Sequence, residues 1–155
     1  MTKDQRQPGE TYWRLIEPFA DAISIYDGPT IFLEHYRKVP IKVGILFAAH
    51  WCQSEICNGG FHQFFSNSTG VLAPEALDAF QAMGLKEWAG LLDEAMRFFG
   101  SPYPRERHRR RALLIKQSGK LPEEWDPFCN LDDRFYEWLR VEEDRWERAA
   151  DAYAR

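Results

Sequence analysis

What the chain has little of narrows its class first. Cysteine occurs three times, as Cys52, Cys57 and Cys129. An odd number set among apolar and aromatic neighbours makes no disulfide framework and reads as core thiols in a reducing compartment. No apolar run approaches the length of a membrane span, and Met1-Thr2-Lys3-Asp4-Gln5-Arg6 lacks the apolar stretch of a secretory signal. A soluble cytoplasmic protein with no membrane partner is therefore expected. Absent too are a phosphate-binding loop, a dinucleotide fingerprint and a nucleophile elbow, so phosphoryl-transfer, nicotinamide and acyl-transfer chemistries have no motif to rest on. No period-two run is long enough for a strand, and there is no internal repeat or low-complexity segment.

What is present suits one helical domain. The 155 residues are 45% hydrophobic and 15% aromatic, enough for a sizeable core. Residues 1–9 are polar and read as a flexible N-terminus, with one domain over 10–155. Apolar positions Tyr12, Ile16, Phe19, Ile23 and Tyr26 recur at helical steps, interrupted by Pro18, which predicts a kink or a fresh helix. Asp27-Gly28-Pro29 reads as a turn before a short helix carrying Ile31, Phe32, Leu33 and Tyr36 to about Lys38. Pro40 opens a central helix whose run from Ile45 to Cys52 is apolar almost all round, which implies burial on several sides. Helices follow over Pro74 to Met83, closed by Gly84, around Trp88 to Phe99, closed by Gly100, and over Arg105 to Lys116 with its arginines mostly outside. A last helix, capped by Asn130, carries Phe135, Trp138, Leu139, Trp146 and Tyr153.

The most distinctive stretch runs from Glu55 to Gly70. Asn58-Gly59-Gly60 supplies the freedom for a positive φ, so an abrupt helix corner is predicted near residues 58–60. Phe61, Phe64 and Phe65 follow at helical spacing. The amides of Asn58, Gln63 and Asn67 are read as ties for the free backbone groups of the turn. The fold class is accordingly all-α, a compact multi-helix bundle with a Gly-Gly corner.

Chemistry is less legible. His50, Cys52, Glu55, Cys57 and His62 crowd together in sequence but not at metal-ligand spacing, and no metal or cofactor is expected. Closeness of Cys57, His62 and Asn67 along a turn does not make a catalytic triad, and no catalytic residue is assigned. Charge, by contrast, is strongly segregated although the net is only −4. Residues 101–120 hold seven Lys/Arg against one Glu, and residues 121–155 hold eleven Asp/Glu against five Arg. The basic patch Arg105, Arg107, Arg109, Arg110 and Arg111 reads either as a solvated helix face or as a grip on phosphates. The acidic residues Glu123, Glu124, Asp126, Asp132, Asp133, Glu142 and Glu143 read as a solvated face or as a surface for a basic partner.

The motif Glu55-x-x-Asn58-Gly59-Gly60-Phe61-x-Gln63-Phe64-Phe65-x-Asn67-x-x-Gly70, with Glu75-Ala76-Leu77, Met83-Gly84 and Asp132-x-x-Phe135-Tyr136, resembles a bacterial family named for a DNA-mimic protein. The resemblance covers roughly Tyr12 to Tyr153. It implies a compact helical fold with no catalytic residues to carry over, and a namesake that is an acidic dimer occupying the DNA-binding surface of a transcription factor. The basic run departs from that acidic character. The expectation is a non-enzymatic protein-binding module, a DNA-mimic-like regulator that engages a basic DNA-binding protein through the acidic C-terminal face, with a homodimer possible. The alternatives are an interaction or immunity-type protein using the Asn-Gly-Gly-Phe corner, and a nucleic-acid binder using Arg105 to Arg111.

Overall fold

The structure, a computed structural model, describes residues 6–119 and 126–155. The expectations for residues 1–5, and for Glu123 and Glu124, lie outside the described residues. Eight α-helices and two 3₁₀ turns, with no strand among the described residues, form the architecture. They are α1 (Glu10–Ile16), α2 (Pro29–Lys38), α3 (Ile41–Ser66), α4 (Ala73–Ala82), α5 (Lys86–Arg97), α6 (Arg107–Ser118), α7 (Cys129–Val141) and α8 (Arg145–Ala154). None is long and apolar enough to cross a membrane.

Helix α3 is the hub because its central run, Ile45 to Cys52, is apolar almost all round. Val43, Leu46, Phe47, Ala48, Ala49, Cys52 and Ile56 are all buried, and the small Ala48 and Ala49 let neighbours approach closely. Around it pack α1, α2, α4, α6, α7 and α8. Helix α4 stops where Gly84 takes a left-handed φ of 75°. The Leu85 N–H then bonds back to Phe80 O at 2.8 Å and the Gly84 N–H to Gln81 O at 3.1 Å, which satisfies the free carbonyls of the last turn. Below the second half of α3 lies an aromatic cluster. Phe65 centres it, with ring centroids 4.7 Å from Phe99, 5.3 Å from Phe128 and 6.1 Å from Tyr103.

Four local expectations change. The first helix ends at Ile16, and Pro18 lies in a 3₁₀ turn over Glu17–Phe19. Ile23 and Ile25 still reach the core from irregular backbone. The last helix is two: Glu142 leaves helical geometry and Asp144 has φ 59°, so α8 turns towards α1. There Trp146 is buried edge-on against Tyr12, with centroids 5.0 Å apart. Asn130 lies inside α7 rather than at its cap, because Asp126 Oδ1 already accepts the Phe128 N–H at 2.8 Å and starts the helix earlier. Of the thiols only Cys52 is in the core, while Cys57 and Cys129 are exposed.

Helices α1, α3 and α8 meet around a polar cluster. Asp151, buried on α8, accepts the Gly9 N–H at 2.8 Å and the Tyr12 N–H at 2.9 Å, so an acid of the C-terminal block caps α1. The Tyr12 hydroxyl and His50 Nδ1 share a 3.0 Å hydrogen bond. Burial, then the nearby Glu147 and Asp151, pushes the Tyr12 pKa up to about 12, and burial pulls His50 down. An imidazole whose folded pKa is depressed contributes stability that is fully present above its unfolded value, about 6.5, and lost as pH falls through the folded value. His50→Gln should therefore lose less stability than wild type between about pH 7.5 and about pH 5, read from urea midpoints. Parallel losses in the two proteins would refute this.

Candidate functional site

The glycine corner lies inside α3, where Gly59 (φ −158°, ψ 19°) and Gly60 (φ 77°, ψ −179°) leave helical geometry and divide the helix into two segments. Breaking the ladder frees backbone groups on both sides. Helix α7 takes them up. Asp132 Oδ1 accepts the Phe61 N–H at 2.8 Å, and the Tyr136 hydroxyl donates to Ile56 O at 2.8 Å. Phe135, between them in sequence, packs edge-on against Phe61 with centroids 6.0 Å apart. The two motifs noted far apart in sequence are thus one clamp. Burial raises the Asp132 pKa and the Phe61 N–H opposes that shift, so this acid is committed to the corner.

Side chains of the second segment serve a carboxylate rather than the turn's backbone. Glu55 accepts from Gln63 Nε2 at 2.8 Å, Asn67 Nδ2 at 3.3 Å and Thr69 Oγ1 at 2.7 Å. Half-buried, it holds three donors, of which Gln63 and Asn67 were expected to go to backbone and Thr69 was not foreseen. Asn58 and His62 stay exposed beside them.

The basic run is divided by the fold. Arg110 is completely buried, against the expectation of arginines mostly outside. Its Nε donates to Phe65 O at 2.9 Å and its Nη2 to Asn67 O at 2.9 Å, while Nη1 serves the carbonyls of Pro104 and Arg105. Arg107 Nε donates to Ser66 O at 2.8 Å, and the Tyr103 hydroxyl to Gly70 O at 2.7 Å. Phe65 O and Ser66 O lie in the last turn of α3, beyond its hydrogen-bond ladder, while Asn67 O and Gly70 O each also accept a backbone N–H, and the negative end of a helix dipole favours cations. Gly70 leaves the room: a Cβ there would lie 2.7 Å from Arg110 Nε. Arg105 makes a bidentate pair with Glu75 at 2.8 and 2.9 Å and also reaches Val71 O. Only Arg107, Arg109 and Arg111 of the five are exposed. Sequence reasoning gave no hydrogen-bonding role to Tyr103 or Thr69 and read Asp151 only as one of the acidic block, and the Glu75–Arg105 pair bridges residues whose proximity no spacing signals.

Of the acidic residues, Asp126 starts α7 and Asp132 holds the corner, as above. Glu142 lies 3.3 Å from Arg145 Nε, and Arg145 also reaches Glu87 at 3.1 Å. Asp133 and Glu143 are exposed, and neither carboxylate has an ion-pair partner among the described residues. Among those residues no three or more His, Cys, Asp or Glu come together as a metal set. A concavity of about 690 Å³ runs between α6 and residues 25–29 and includes Tyr26, Arg107, Arg111 and Ile115.

A protein-family model described as DMP19-like protein matches residues 38–155, which takes in the whole of α3 through α8 and so the corner, its α7 clamp and the arginine cap. The chain belongs to the DMP19-like family. That is a DNA-mimic family, as the corner motif suggested. No curated protein and no solved structure matches the chain. Helix α1, nearly all of α2 and the 25–29 wall of the concavity lie outside the DMP19-like match.

Proposed function

We propose that this chain is a non-enzymatic regulator of the DNA-mimic kind, engaging a basic DNA-binding protein through carboxylates around the α7–α8 junction. The observation that carries the reading, in a member of this family, is a set of open carboxylates along α7 and at its junction with α8: Glu143 is exposed without a cationic partner among the described residues, Glu142 and Asp144 are exposed beside it in sequence, and Asp133, near the start of α7, is likewise exposed and unpaired. Carboxylates fixed on helices present negative charge at set spacings, as a phosphate backbone does, and so compete for the same cationic surface. Arg134, Arg140 and Arg145 interleave with these acids, which favours a local contact over mimicry by the whole surface. Self-association through the same helices accords with the resemblance, and light scattering of the free protein reads it directly.

The test separates acids that hold the fold from acids that face solvent. Asp132 is unsuitable for charge reversal because its loss frees the Phe61 N–H. The double variant Asp133→Lys/Glu143→Lys keeps every hydrogen bond described above. Wild type should retain a basic DNA-binding protein from nuclease-treated lysate and displace DNA from it once purified. The double variant should compete at least about tenfold less well, with a salt dependence to match. Equal competition by both proteins would refute the acidic-face reading.

A further inference from the structure

We infer that the concavity between the 25–29 loop and α6 is a docking groove for an acidic peptide segment that carries a large apolar side chain. Its lining contains four arginines and His108 against a single carboxylate, Glu106. Two of those arginines are already engaged, Arg110 by backbone carbonyls and Arg105 by Glu75. Arg107 gives only Nε to Ser66 O, and neither Arg111 nor His108 has a partner among the described residues. Uncompensated positive charge therefore borders the groove, and it complements an anionic occupant.

The apolar lining decides what kind of anion. Tyr26 is 77% exposed and Ile115 67%, two of the most open large apolar side chains in the described structure, and both line this one concavity. Pro29, Val71 and Ala112 continue the apolar lining. Exposed apolar surface rimmed by polar groups marks an interaction site. A single-stranded nucleic acid would call for several broad stacking faces, and Tyr26 is the only Phe, Tyr or Trp in the lining among the described residues. Aliphatic walls suit a Leu- or Phe-sized side chain with carboxylates beside it. Arg111 and Ile115, one turn apart on α6, also border a second cleft of about 360 Å³ that includes His62 and Leu114, so an extended peptide can cross the helix. The groove shares no residue with the α7–α8 acidic face and stands independently of the reading given for it.

Selection of phage-displayed random peptides on the full chain, with counter-selection on Arg111→Glu/Ile115→Asp, tests this directly. Both positions are exposed, so circular dichroism and the thermal midpoint should stay those of wild type. Enriched peptides should pair Asp or Glu with a large apolar residue. As synthetic fluorescent probes they should bind about tenfold or more weakly to each single variant, and unchanged to Asp133→Lys/Glu143→Lys. Failure to enrich such a motif would overturn the proposal, as would selected peptides that bind both variants like wild type. Binding of oligo(dT) that Arg111→Glu abolishes, with no peptide selected, would overturn it in favour of a nucleic-acid groove.

Discussion

Arg110→Met should cost this protein about 4 kcal/mol or more of stability, or prevent folding altogether, because buried carbonyls left without a donor cost about 1–3 kcal/mol each. The side chain is fully buried and serves the carbonyls of Phe65, Asn67, Pro104 and Arg105. Burial lowers its pKa, but a guanidinium starts so high that it stays charged. Asn67 O keeps the Gly70 N–H at 3.3 Å, so not every acceptor is stripped. Methionine fills much of the volume, which isolates the hydrogen-bonding loss from a cavity effect. Arg110→Lys should fall between, since one ammonium cannot span carbonyls on both sides of a planar fork. The neighbouring Arg109→Ala, at an exposed position without partners among the described residues, should change stability by less than about 0.5 kcal/mol. Urea denaturation of the four proteins decides it: if Arg110→Met matches Arg109→Ala, the capping role is wrong.

The second large effect is expected at Gly60. With φ 77° and ψ −179° its backbone lies in a region that side-chain-bearing residues scarcely enter, at a cost of about 1–3 kcal/mol. A Cβ there would also lie 2.6 Å from Asp132 Oδ2, the carboxylate that holds the Phe61 N–H. Alanine must therefore displace Asp132, and Gly60→Ala should lose about 3 kcal/mol or more. Adding Asp132→Ala removes the collision but not the strain, so the double variant should lose less than the sum of the singles. Strict additivity would show that the two residues do not meet as described. Gly90, on the exposed side of α5 with nothing within 4 Å of its missing Cβ, makes the opposite case. Gly90→Ala should raise stability by about 0.5–1 kcal/mol.

These expectations locate what the motif is for. The residues on which the family resemblance was read are mostly occupied in holding α3 together at its corner and its end: Gly60 and Asp132 at one, Glu55, Gln63, Asn67 and Gly70 at the other. A surface for partners must come from elsewhere, which is why the proposals fall on Asp133, Glu143, Arg111 and Ile115. The same occupation weakens the two alternatives read from sequence. A corner-based interface loses Gln63 and Asn67 to Glu55, and a phosphate grip on α6 loses Arg105 and Arg110.

What the sequence by itself determined was local. Helical class, the corner at Gly59-Gly60, the stop at Gly84 and the burial of the Ile45–Cys52 run on several sides followed from the period of apolar residues and the dihedral freedom of glycine, properties of a few neighbouring residues. Family membership followed in the same way, from a short motif. The roles of charged residues were decided only by the tertiary structure. Arg109 and Arg110 are adjacent in one basic run, yet one is in solvent and the other is fully buried. Asp132 and Asp133 divide alike between a buried corner and an open face. A charge is solvated or committed according to whether a partner arrives within about 3 Å. Here the partners come from far along the chain, Phe61 to Asp132 across 71 residues and Tyr12 to Asp151 across 139. No pattern within a single helix records such a meeting, because it exists only once the helices have packed.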